Sequence, residues 1–218
     1  MRRNCAARAR ELLWVTGNRY GLPTAMQLSL WRALCRPLLE YGCALWAPDL
    51  NADQCHALEN MQLNFARSAL GLPLQTSGVF IRGELGLLPL AARRDELTLR
   101  AFGKALNDIE RMRADPSAPS RLVTQVLAAR FEQARAGGAR MSWCARVRPA
   151  LERYRLEQYW REGALDCTLK DWKEKCGRAV LAREREEFAA AVDASDTLHR
   201  SLYAQLKQIG RASCRERV

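Results

Sequence analysis

Apolar residues recur at intervals of three and four along almost the whole chain, and no stretch alternates polar with apolar for more than a few residues. Side chains at that spacing line one face of a helix, whereas a half-buried strand needs a period of two. The implied fold class is all-α. Leu30, Leu34, Leu38, Tyr41 and Leu45 recur at steps of four, four, three and four. They are expected along one buried side of a first helix with Thr24 as N-cap, bent or divided by Pro37. A second helix is expected from Asn51, with Leu58, Met61 and Phe65 inward, a capping box formed by Asn51 and Gln54, and a stop at Gly71 before Pro73.

A short helix between Thr76 and Leu85 should close at Gly86. Pro89 should open a longer one through Met112, with Leu99, Phe102, Leu106 and Ile109 as its stripe. Asp115–Pro119 holds two prolines among small polar residues and reads as a linker. Beyond it, helices are expected near 120–136, 142–162, 168–193 and 196–207, separated by Gly137–Gly138, Gly163 and Ala194–Ser195. The boundaries are therefore a helical domain over 1–114, a linker over 115–119 and a helical extension over 120–207.

No run approaches the roughly 18 apolar residues that a membrane span requires, so no membrane partner is expected. The eight cysteines are scattered and include no Cys-x-x-Cys pair, which points to small core residues in a reducing intracellular setting, nuclear or cytoplasmic, and to no metal site. Charge is uneven: residues 1–50 carry seven basic and three acidic side chains, 51–115 eight of each, and 116–207 seventeen against twelve. Both flanks are basic and the middle is neutral, a balance that suits an acidic polymer as partner.

Arg36–Pro37–Leu38–Leu39–Glu40–Tyr41–Gly42–Cys43–Ala44–Leu45–Trp46 resembles the Pro-Leu-Leu-x-Tyr-Gly-x-x-x-Trp signature found downstream of the catalytic palm in non-LTR retrotransposon reverse transcriptases. In the same order as in that family come Leu58–Glu59 with Gln62, then Leu70–Gly71–Leu72–Pro73, then Glu84–Leu85–Gly86–Leu87–Leu88–Pro89–Leu90 with Arg93 and Arg94. Trp172–Lys173 and Leu202–Tyr203 with Leu206–Lys207 are similar to landmarks of the C-terminal extension. The string 208–218 resembles a translated sequencing adaptor and is set aside from fold reasoning. The resemblance implies a thumb-like bundle over 1–114, and for the parent protein RNA-directed DNA polymerisation with RNA and DNA template–primer as partners.

The signature residues Pro37, Tyr41, Gly42, Trp46, Gly71, Pro73, Glu84, Gly86 and Pro89 are read as packing and turn positions. Tyr41 and Leu45 are expected to continue the buried stripe, with Gly42 inside a helix where another backbone comes close. The polymerase chemistry itself needs paired aspartates holding divalent ions, magnesium by preference, at the primer end. Asp–Asp occurs nowhere in this chain. The expectation is a non-catalytic piece with no cofactor of its own, and no residue is assigned a catalytic or metal-binding role.

The strongest nucleic-acid candidate is the stretch from Arg140 to Arg161, where Arg140, Arg146, Arg148, Arg153, Arg155 and Arg161 interleave with Trp143 and Tyr159. Guanidinium groups neutralise phosphate and flat rings stack bases. On a helical wheel Cys144, Val147, Leu151 and Tyr154 share one side, with Arg146 and Arg153 at one edge and Arg148 and Arg155 at the other. The same pattern suits arginines bordering a buried stripe. Glu184, Glu186 and Glu187 among Arg183 and Arg185 read as a mixed-charge solvent face with no pocket around them. The alternative function is a free-standing helical adaptor that docks a protein partner through exposed apolar residues.

Overall fold

The computed structural model describes residues 7–9, 11–12, 22–46, 50–115, 122–137 and 143–194. Among them the fold is all-α, with no strand, and no helix is long and apolar enough to cross a membrane. The expected helix over 196–207 and most of the linker, residues 116–119, lie outside the described residues.

The chain runs through α1 (Thr24–Leu30) and a π-helical turn (Trp31–Cys35) directly into α2 (Arg36–Glu40), then α3 (Cys43–Trp46). Pro37 falls in the first turn of α2, where its missing N–H costs nothing in hydrogen bonding. The helix is therefore divided in register at the proline, and the wide turn just before it absorbs the change. Thr24 does not cap α1; Pro23 occupies that position, and the Thr24 hydroxyl donates to the Ala69 carbonyl at 3.4 Å.

The buried side of this segment is turned by one residue from the expected one, with Leu30 and Leu38 of the expected stripe half-buried at its margin. Leu28, Trp31, Cys35, Leu39 and Cys43 are inside, whereas Leu34, Tyr41 and Leu45 are 51%, 80% and 71% exposed. Two apolar stripes one residue apart compete here, and the one containing Trp31 wins because the indole carries the larger apolar area. Trp31 stacks on Phe65 with ring centroids 4.7 Å apart. In a regular α-helix residues four apart drift by about 40° per step. The π turn winds more slowly, which keeps Trp31, Cys35 and Leu39 in line.

α4 (Ala52–Leu70) begins at a complete capping box, Asn51 and Gln54 exchanging hydrogen bonds at 2.8 and 3.0 Å, and ends at left-handed Gly71. α5 (Gly78–Leu85) closes at Gly86, and α6 (Leu90–Ala114) comes directly after Pro89. Glu59 of α4 fixes both: its carboxylate accepts from Arg82 at 2.9 Å and from the Leu90 backbone N–H at the start of α6 at 2.7 Å. Gln62 adds a buried 2.9 Å bond to the Leu88 carbonyl.

α7 (Leu122–Arg135), α8 (Trp143–Arg153), α9 (Glu157–Glu162) and α10 (Leu169–Asp193) complete the described chain. The expected single helix over 142–162 is two, parted by Tyr154–Leu156. Pro149 lies inside α8 without ending it, and the break comes where Arg155 takes a left-handed φ of 57°.

The long α6 is the spine. Its first residue, Leu90, joins a core with Trp31, Leu39, Leu58 and Phe65. Its middle residues Leu99, Phe102, Leu106 and Ile109 enter a larger core with Phe131, Val147, Leu151, Tyr159 and Trp172. A third, smaller cluster joins Leu28, Leu63, Ala66, Ile81 and Leu87.

Candidate nucleic-acid interface

α8 is amphipathic, and its inward stripe is the one the wheel places together: Cys144, Val147, Leu151 and Tyr154 are all buried. With that face committed to the core, the arginines project from its margins and separate into two groups.

Arg153 and Arg155 turn towards α10. Arg153 lies 3.0 Å from Glu187, 3.5 Å from Glu184 and 3.8 Å from Asp95, with its guanidinium 5.5 Å from the Tyr154 ring centroid. Burial pulls the Arg153 pKa down, but Tyr154, Glu187 and Asp95 outweigh it and leave the pKa raised. Arg155 lies 3.9 Å from Glu186. Arg153 is thus engaged within the protein, whereas the Arg155 side chain remains 81% exposed.

The proposed stacking residues are otherwise engaged. Tyr159 is fully buried; its hydroxyl donates to Asp166 at 2.9 Å and accepts from Lys175, and its ring meets Trp172 edge-on at 4.7 Å. No base can stack on it in this structure, which corrects the expectation from sequence. Burial makes it a core residue with a polar tip. Trp143 is half-buried and donates from Nε1 to the Ala44 carbonyl, pinning the start of α8 to α3. Arg146 is half-buried on the same helix. Arg140 lies outside the described residues.

Arg148 and Arg161 form the other group. With Arg135 they line a cavity of about 560 Å³, whose remaining walls are Glu152, Glu157 and Trp160. Arg148 donates to Glu152 at 2.8 Å, and Arg135 donates to the Arg161 carbonyl. Arg161 itself has no ion pair among the described residues. Gly163 ends α9 with φ 69°, and a Cβ there would come within 2.9 Å of the Arg135 guanidinium, so glycine lets that side chain lie across the helix end. Arg135 also lies 3.4 Å from Glu132 and Arg148 lies 2.8 Å from Glu152, so two of the three guanidinium groups are already ion-paired and Arg161 is the one that is not, among the described residues. Trp160 is a buried wall of this cup and offers no open stacking face.

Arg135 carries no signal of its own in the sequence. It stands outside the 140–161 stretch, and only the return of the chain through α9 brings Arg161 beside it.

The cysteines are core residues where they are buried. Cys35, Cys43, Cys144 and Cys176 are inside, and burial pushes the Cys43 thiol to about 11 and the Cys176 thiol to about 12. Neither is a thiolate near neutrality. Among the described residues no group of three His, Cys, Asp or Glu side chains is arranged to hold a metal ion.

The signature residues occupy turns and helix ends. Gly42 is not inside a helix but in a left-handed turn between α2 and α3, with φ 63°. Trp46 folds back to donate from Nε1 to the Tyr41 carbonyl at 2.9 Å. Gly71 and Gly86 are left-handed helix caps, Pro73 stands two residues beyond the first, Pro89 precedes α6 and Glu84 is exposed. Glu40 ties α2 to α6, accepting from Arg93 at 3.0 Å and forming an ion pair with Arg36 at 3.1 Å. The expectation of no cavity beside Glu184 and Glu187 is also corrected: both line a groove between α5 and α10, because α5 stands off from the last turns of α10. In comparisons with known proteins, no family model, no curated protein and no solved structure matches this chain.

Proposed function

We propose that this chain is a non-catalytic part of a non-LTR retrotransposon RNA-directed DNA polymerase, the thumb-like helical region and extension downstream of the palm, and that it helps hold RNA or DNA. The ordered signature blocks support the kinship. The observation that carries the binding reading is the convergence of Arg148 and Arg161 with Arg135 on one cavity. Phosphate oxygens suit such a cup, since guanidinium donors bind them in pairs and the attraction persists in partly shielded surroundings. The divalent metal, magnesium by preference, belongs with palm aspartates that this chain lacks. This reading places the protein in the nucleus or cytoplasm.

Binding of duplex and single-stranded probes titrated with salt tests the reading. The wild-type chain should bind at low ionic strength and weaken steeply as salt rises. Arg148→Ala with Arg161→Ala should weaken binding of all sequences alike and lower the salt slope by about two. No binding at low ionic strength, or an unchanged slope, would sink it.

A second reading, a helical adaptor for a protein partner, draws on the exposed apolar ridge of Leu34, Tyr41 and Leu45. The coding sequence upstream of Met1 separates the two. An in-frame palm with paired aspartates supports the polymerase, and an untranslated leader with stop codons supports the adaptor.

A further inference from the structure

The chain leaves α8 by a cap that glycine would fill more easily. The Leu156 N–H donates to the Leu151 carbonyl at 2.8 Å and the Arg155 N–H to the Glu152 carbonyl at 3.2 Å. Such a pair of bonds closes a helix around a left-handed residue, here Arg155 at φ 57°. α4 ends by the same pair, Leu72 to Arg67 at 2.8 Å and Gly71 to Ser68 at 3.2 Å, and there the left-handed residue is Gly71. Every other left-handed position among the described residues is also a glycine: Gly42, Gly86, Gly137 and Gly163.

Burial fixes the break. Leu151, Tyr154 and Leu156 all lie in the core, so residue 155 is held left-handed whatever side chain it carries. A Cβ in that conformation crowds the following carbonyl, and glycine would relieve the crowding. Folding therefore favours glycine at 155, and the arginine serves something other than the fold. Inside the protein it does little. Glu186 is 3.9 Å away, the two side chains are 81% and 54% exposed, and the same Glu186 oxygen lies closer to Arg183, at 3.5 Å. An ion pair that open to water and shared with a nearer cation contributes little to stability.

We propose that Arg155 is a phosphate-backbone contact that continues the track of nucleic acid from the arginine cup across the corner between α8 and α9, and that this contact is made at a cost in stability. The inference rests on the nucleic-acid reading of the cup. Arg148, Glu152 and Arg155 follow at steps of four and three, so they border one edge of α8. From Arg148 to Arg155 is about 10 Å of helix, which matches the rise of about three nucleotides along one strand of a duplex. So exposed a guanidinium can take a phosphate without first giving up a strong internal partner. Contacts of this kind position the strand and do not read its sequence.

Arg155→Gly in the full chain tests both halves of the proposal at once. Its Tm should rise by about 2–4 °C, the shift expected when one crowded left-handed side chain is relieved in a chain of this size. Its binding to a duplex probe should weaken, with the salt slope lower by about one. Arg155→Lys keeps both the charge and the crowding, so its Tm and slope should match the wild type. A Tm in Arg155→Gly that stays level or falls would overturn the proposal, because the arginine would then be supporting the helix end. An unchanged slope would overturn it as well. If Arg148→Ala with Arg161→Ala lowers the slope while Arg155→Gly leaves it alone, the cup stands and only this inference fails. A wild-type chain that binds no probe at low ionic strength removes both.

Discussion

At Gly103 the main chain of α6 runs directly beneath the indole of Trp172, so that a Cβ there would overlap the ring nitrogen. That nitrogen is already committed, donating to the Leu99 carbonyl at 2.9 Å, and the ring is buried with no room to retreat. Gly103→Ala gains about 1 kcal/mol of helix propensity but overpacks the core at a cost of about 1–3 kcal/mol. The net expectation is lower stability in urea unfolding, and an unchanged midpoint would show that the indole can move. Glu184 carries a pH dependence. Burial raises its pKa first, Glu187 adds to that, and Arg153 opposes both. An acid whose folded pKa lies above its unfolded value destabilises the fold once ionised. Stability should therefore fall as pH climbs above about 4.5, the unfolded glutamate range, and the loss should be complete above the folded value. Glu184→Gln should flatten that part of the stability profile; an identical slope in wild type and variant would show that the carboxylate is not the titrating group.

Among the helices, α5 and α6 are oriented by a single carboxylate on a third. Glu59→Ala removes the Arg82 ion pair and the acceptor at the start of α6 together. The expected loss is about 2–3 kcal/mol, because a charged hydrogen bond and a helix cap disappear at once. Glu59→Gln should recover part of it by accepting from the Leu90 N–H, whereas equal losses would mean that the cap contributes nothing. The elements whose limits depend on neighbours in sequence were legible beforehand: the capping box of α4, the stops at Gly71 and Gly86, and the α6 stripe through Leu99, Phe102, Leu106 and Ile109. Where two readings were locally equal, the choice lay in tertiary contact. Nothing near Leu30–Leu45 tells which of two adjacent apolar stripes will meet Phe65. Nor does any glycine or proline mark the break at Arg155, which the chain makes by bending a residue that disfavours left-handed φ. The candidate site was half legible for the same reason: Arg148 and Arg161 could be named in advance, but Arg135 joins them only through the fold, and the burial of Tyr159 is a property of α10 lying across it.

For the molecule as a whole, the question is whether residues 1–114 can stand without the helices beyond the proline-rich 115–119. Linker composition is a local signal, and it suggests independence. The packing of α6 argues otherwise, since Leu99, Phe102, Leu106 and Ile109 are buried in a core shared with Phe131, Val147, Leu151 and Trp172. Exposing a buried side chain of that size costs about 1.5–3 kcal/mol, so stripping four of them forfeits roughly 6–12 kcal/mol. Domains of this size are stable by only about 5–15 kcal/mol in total. A fragment of residues 1–114 should therefore retain helix by circular dichroism yet bind an apolar dye, self-associate and lose its sigmoidal urea transition. A monomeric fragment that unfolds cooperatively would instead show that the core around Trp31 and Phe65 suffices, and that the far half of α6 is ordered by its own helix propensity. The distinction matters for nucleic-acid binding, because the arginine cup is built from α7, α8 and α9, whose inner faces rest on that same stretch of α6. If the two halves fold as one, variants at Gly103 that loosen the shared core should weaken binding without touching an arginine.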